Sequence, residues 1–113
     1  MDAAPAHTVV DALGRELLVP RSPRRIVSLV PSLTELLADL GLDAQVVGLT
    51  TFCVRPAGWR EAKARVGGTK QVSLQRVAAL RPDLILANQE ENTAADVAAL
   101  SELAPVYVTR IAD

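Results

Sequence analysis

The chain has 113 residues, 50% of them hydrophobic and 22% charged, with a formal net charge of -1. This composition excludes the disordered class and supports a single core, which is too little for two lobes with a cleft between them. It also offers no basic surface to offset a phosphate backbone, so no nucleic-acid partner is expected. One cysteine, Cys53, and one histidine, His7, exclude an intrachain disulfide and a zinc site built from clustered Cys and His ligands. No apolar run approaches the length of a bilayer span. The start, residues 1–7, has neither a basic n-region nor an apolar h-region and does not read as a secretory signal.

Residues 8–10 and 16–19 form a short hairpin pattern in which Asp11 and Gly14 supply the turn chemistry, ended by Pro20 and Pro23. Arg21, Arg24 and Arg25 follow as the solvated entrance to a buried strand over residues 26–30. Pro31 breaks that strand, and Ser32 with Glu35 reads as a capping box for a helix over 32–40. Leu33, Leu36, Leu37 and Leu40 give this helix its apolar face, and Gly41 closes it as a left-handed cap. A second short strand spans 46–49, followed by an irregular exit over 50–56. A helical turn or two is expected within 59–65, then a flexible loop at 67–70. Ser73 caps a helix over 74–81 that Pro82 stops. A third strand at 84–87, a helix at 93–103 and a fourth strand at 106–109 complete the order.

Apolar strands alternating with helices predict an α/β fold, with a small parallel, Rossmann-like sheet flanked by helices behind the N-terminal hairpin. The division is residues 1–23 as hairpin and linker and 24–113 as the α/β lobe. One pattern occurs twice: a buried strand ending in a short polar loop that opens a helix, in RIVSLVPSLTELLADLG (25–41) and in PDLILANQEENT (82–93) leading into a helix. If the second strand lies on one side of the first and the third on the other, the winding reverses between strands one and three. The switch point then falls between Pro31-Ser32 and the loop of Asn88, Gln89, Glu90 and Glu91, where open parallel sheets bind ligands.

Several motifs have bland readings. Gly67-Gly68-Thr69-Lys70 lacks the upstream glycine and the Gly-Lys-Ser/Thr order of a phosphate loop. Cys53 has no base and orienting acid attached to it in sequence, so packing outweighs nucleophilic chemistry. Glu90 and Glu91 fit the first turn of a helix through its dipole better than they fit paired catalytic carboxylates. Trp59 reads as a core residue, whereas Phe52 follows a strand end on the ligand side and suits an apolar wall.

The runs 25–37, 47–50 (VGLT), 52–56 (FCVRP), 65–70 (RVGGTK) and 74–87 (LQRVAALRPDLILA), together with the opening hairpin, resemble the N-terminal lobe of the helical-backbone substrate-binding proteins. Those proteins serve ABC importers of cobalamin and of ferric siderophores or haem. The resemblance covers the chain from about His7 to Asp113. It implies one lobe of a two-lobed binding protein without enzymatic activity or resident cofactor, holding a metal chelate in the interlobe cleft. A corrinoid is the first expectation and a ferric siderophore or haem the next.

By position, the resemblance places Pro31, Ser32, Phe52, Cys53, Gly68, Thr69 and Lys70 toward the cleft, with Asn88, Gln89 and Glu90 beside them. At the position of Thr69 some cobalamin binders carry a tryptophan, absent here; Arg55, Arg65 and Lys70 are the alternative contacts, for siderophore carboxylates, although solvated surface is the commoner fate of such residues. The implied partners are an ABC importer permease, the chelate, and a second lobe supplied by sequence beyond Asp113 or by another chain. Gln75 stands where the family carries a glutamate that docks on permease arginines, and a neutral amide cannot form that charge-assisted pair. The implied location is periplasmic or extracytoplasmic, against a cytoplasmic one from the chain's own start. A cytoplasmic enzyme, or a regulatory or interaction domain reusing the lobe, is the alternative.

Overall fold

The computed structural model describes residues 6–51, 53 and 55–110. Strands β1 (Ala6–Val10) and β2 (Glu16–Pro20) pair antiparallel as the expected hairpin. The chain continues through β3 (Ile26–Ser28), α1 (Pro31–Asp39), a 3-10 turn (Asp43–Gln45), β4 (Val46–Leu49), α2 (Trp59–Ala62) and β5 (Ala64–Arg65). It ends with α3 (Leu74–Leu80), β6 (Leu84–Asn88), α4 (Ala94–Leu100) and β7 (Val106–Thr109). The second sheet is wholly parallel in the order β5-β4-β3-β6-β7. Winding runs outward from β3 to β5, then returns across β3 to β6, so the switch point lies between β3 and β6 as expected.

Alternation along the strands sends side chains to two layers. Ile26, Val46 and Leu49 pack with Leu37 of α1 and Trp59 of α2 on one face. Val27, Ile85 and Val106 pack with Val77 of α3, and Val97 and Leu100 of α4, on the other. Burying each such Val or Leu contributes about 1.5–3 kcal/mol, so the two apolar layers hold the sheet between them. Gly48 lets α3 approach closely, because a Cβ there would lie 2.5 Å from Leu80 Cδ1. Among the described residues no helix is long and apolar enough to cross a membrane.

Three local expectations need correction. Helix α1 starts one residue early, at Pro31, with Val30 as N-cap and no side-chain cap bond, so the Ser32–Glu35 capping box does not form. Proline is pre-set for the first helical position, where its missing N–H leaves no bond unmade. Residues 59–65 divide into a single helical turn and then β5, a strand absent from the sequence reading; its two residues are both exposed and carry no periodic signal. The segment 67–72 is an ordered turn, bridged between Gly67 and Val72 and closed by Gly68 and Gln71 through N–H···O bonds of 3.2 and 3.3 Å.

Other local codes act as read. The N–H of Gly41, at φ +75°, donates to the Ala38 carbonyl and that of Leu42 to the Leu37 carbonyl, which is the Schellman pattern. Ser73 and Thr93 cap α3 and α4 by accepting from the N–H groups of Arg76 and Asp96.

The hairpin is fastened to the edge of the parallel sheet through its turn. Ala12 N–H donates to the Val108 carbonyl at 2.8 Å, and Val108 N–H donates to Asp11 Oδ2 at 3.3 Å. Asp11 has a fully buried side chain and an ion pair of 2.6 Å with Arg15, whose Nη2 also reaches the Val106 carbonyl at 2.7 Å. Burial pushes the Asp11 carboxyl up, but the Arg15 guanidinium and the Arg15 and Val108 amides outweigh it and hold the group below the usual aspartate range.

Candidate functional site at the carboxyl end of the sheet

Because β3 to β7 are parallel, the loops that follow them emerge at one end of the lobe. The 67–72 turn after β5 is linked to the loop after β4, since the Gly67 carbonyl accepts from Thr51 N–H at 2.9 Å and from Thr51 Oγ1 at 3.3 Å. Gly67 is required there: its φ is +109°, and a Cβ would sit 2.5 Å from the Gln71 carbonyl oxygen. Thr51 and Gly68 to Gln71 line an open depression of ≈ 610 Å³.

The same turn is linked to the loop after β6. Lys70 Nζ donates to the Glu90 carbonyl at 2.8 Å, and Val72 N–H to Asp96 Oδ2 at 3.3 Å. Asn92, only 4% exposed, accepts from Asn88 N–H at 2.9 Å and donates through Nδ2 to the carbonyls of Thr69 at 2.9 Å and Leu29 at 3.4 Å. Asn92 is not among the sequence candidates. Its signal was a second asparagine four residues after Asn88, just before the Thr93 cap.

The structure therefore brings Gly68, Thr69 and Lys70 together with Glu90. Ser32, Gln89 and Glu90 are exposed and Pro31 is half-buried at the start of α1, all at this end. Asn88 is buried, with Oδ1 accepting from Glu90 N–H at 2.8 Å and Nδ2 donating to Thr109 Oγ1 at 3.2 Å, so its side chain shapes the loop from beneath. Phe52 lies outside the described residues. Arg55 borders a small separate hollow with Glu35 and Asp39, and Arg65 is exposed on β5. Gln75 is exposed on α3.

Cys53 must be moved from the cleft to the core. It is 0% exposed, with Sγ 3.0 Å from Thr34 Oγ1 and 3.2 Å from Thr50 Oγ1. Thr34 continues the chain of contacts to Ser28 Oγ at 2.9 Å and to the Val30 carbonyl at 3.0 Å. The thiol thus packs beneath the loop after β4, joining it to α1 and β3. Trp59 is buried as expected, with Lys63 Nζ 4.6 Å from its ring centroid.

A second depression, ≈ 260 Å³ and more apolar, lies between the hairpin turn, α4 and β7, with Leu13, Val97 and Val108 in its lining. Of the sequence candidates only Gln89 reaches it. Among the described residues, no group of three or more His, Cys, Asp or Glu side chains could hold a metal ion. The rim of the open depression is polar, with the side chains of Thr51, Thr69, Lys70 and Gln71 in its lining.

Comparison with known proteins places the chain in a family. An ABC transporter substrate-binding lipoprotein of Bacillus subtilis, YvrC, is 35% identical over 102 residues, covering 90% of this chain and 32% of that protein. A vitamin B12-binding protein of Pectobacterium carotovorum is 33% identical over 70 residues, covering 62% of this chain and 25% of its own. The crystal structure of the petrobactin-binding protein YclQ of Bacillus subtilis superposes with a TM-score of 0.78 at 28% identity, over 92% of this chain and 37% of that one. The chain thus spans between a quarter and two fifths of the length of each. Residues 26–110, the whole parallel sheet with its helices, match the family model of the periplasmic binding proteins, and the chain belongs to that family.

Proposed function

We propose that this chain is the N-terminal ligand-binding lobe of the substrate-binding component of an ABC-type importer. Its ligand is a metal chelate, first a corrinoid and next a ferric siderophore or haem. The observation that carries the reading is the open depression at the carboxyl end of the sheet, walled by the 67–72 turn and cross-linked to the loop after β6 beside the switch point. Relatives named for substrate binding in ABC transport and for vitamin B12 binding support it, as does the likeness to a petrobactin-binding protein. The lobe works by shape and hydrogen bonding, without chemistry on the ligand. One open wall buries too little of a large chelate for tight binding, so full affinity needs a second, facing lobe. Docking on a permease takes place at the periplasmic or extracytoplasmic face of the membrane, and the neutral Gln75 weakens the route through α3.

Titration with cyanocobalamin, followed by corrin absorbance, and with ferric catecholate and hydroxamate chelates, followed by calorimetry, tests the reading. Binding weaker than about 10 μM by the 113-residue chain, tightening at least about a hundredfold when a second lobe is present, is expected. Micromolar or tighter binding by this chain alone overturns the one-wall argument. Absence of binding to every chelate with both lobes present overturns the ligand class.

A further inference from the structure

We infer that Asn92 is a positioning residue that makes the loops at the carboxyl end one body and so fixes the height of the Thr69–Lys70 edge above the sheet; the functional part of this inference rests on the proposed ligand face. The 67–72 turn holds itself closed, but its internal bonds say nothing about where it sits relative to β3 and β6. One end is held to the loop after β4 by the Thr51–Gly67 backbone bond, and the links to the loops after β3 and β6 come from side chains reaching across. Lys70 and Asp96 supply two links, from an exposed and a half-buried residue. The buried link is Asn92, whose single amide meets three separate segments: the Leu29 carbonyl after β3, the Thr69 carbonyl in the turn, and the Asn88 N–H at the end of β6.

Only a carboxamide matches this set, because it carries an acceptor on one side and two donors on the other. Its orientation is fixed by the partners: reversed, the amide oxygen would face two carbonyls and the NH2 group would face an N–H. An aspartate of the same shape would turn an anionic oxygen toward both carbonyls, and an alanine would leave all three backbone groups buried without this partner. Asn92 lines the apolar depression beside α4 but no part of the open one, so its effect on a ligand held in the open depression passes through Thr69 and Lys70.

The test combines amide hydrogen exchange with ligand titration in Asn92→Asp and Asn92→Ala. Exchange of the 68–72 amides and of Asn88 should quicken by about tenfold or more, while amides of β3 and β7 stay within about twofold of the wild type. Equal acceleration everywhere, or none in the turn, overturns the assignment. Should neither variant fold, protection of the Asn92 Nδ2 protons in the wild-type chain decides: exchange as fast as an exposed asparagine overturns it, and core-like protection supports it. With cyanocobalamin as the probe, the variants should raise Kd by about tenfold, with Lys70 and Thr69 unchanged in sequence. These titrations are made with a second lobe present; a wild type that binds no chelate under that condition overturns the proposed ligand while leaving the exchange measurement to judge Asn92.

Discussion

Replacing Asp11 by alanine should loosen the N-terminal hairpin from the lobe at a cost that the geometry allows to be worked out. The carboxylate accepts from the N–H groups of Leu13 at 3.0 Å, Arg15 at 3.1 Å and Val108 at 3.3 Å, and from Arg15 Nε at 2.9 Å and Nη2 at 2.6 Å. Breaking a buried ion pair from one side costs about 3–5 kcal/mol, but the Arg15 side chain is 32% exposed and can rehydrate, which brings the expectation to about 2–3 kcal/mol. For a domain of this size that corresponds to a fall in Tm of about 8–15 °C.

The same residue sets a pH dependence. A carboxyl held below its ordinary pKa of about 3.9 contributes stability that is fully present above that value and is lost as pH falls through the lower folded-state value. Urea denaturation of wild type and Asp11→Asn from about pH 7 down to about pH 2 is the assay. The stability gap should stay constant above about pH 5 and close below about pH 4. A gap under about 0.5 kcal/mol at neutral pH, or one that widens toward acid, refutes the reasoning.

Two further outcomes concern the loops at the carboxyl end of the sheet. Gly67→Ala should cost about 2–3 kcal/mol by urea denaturation, since it sets a Cβ against the Gln71 carbonyl at a φ that L side chains avoid; a change under about 0.5 kcal/mol would show that the turn relaxes freely. The buried Cys53 thiol should react with a disulfide reagent on the order of 10³-fold more slowly in the native protein than in denaturing urea, and a native rate close to the denatured one would place it at the surface.

Much of the fold was legible because its signals are short. Gly41, Ser73 and Thr93 cap helices through groups three to five residues away, and the apolar runs that became β3, β4, β6 and β7 carry their burial in their own composition. The start of α1 was misread because two local codes competed at adjacent residues, and proline at the first helical position prevailed over the Ser32 cap. β5 was invisible: Ala64 and Arg65 are exposed, and it is a strand only because β4 offers an open edge. Of the site, the loops and the Gly68-Thr69-Lys70 edge were legible, whereas the burial of Cys53 and of Asn88 was not.

The sequence by itself determined the helices, every strand but β5 and the parallel character of the sheet, because hydrophobic period, caps and right-handed crossovers act over a few residues or by general rule, whereas the switch point became definite only when packing set β4 and β6 on opposite sides of β3. Tertiary structure alone decided which polar side chains are spent inside the molecule. Asp11 meets Val108, Thr34 meets Cys53, and Asn92 joins Leu29 and Thr69 across separations that no local pattern encodes. A buried polar group must find its partner wherever packing brings one within hydrogen-bond reach, and that choice exists only once the chain has folded.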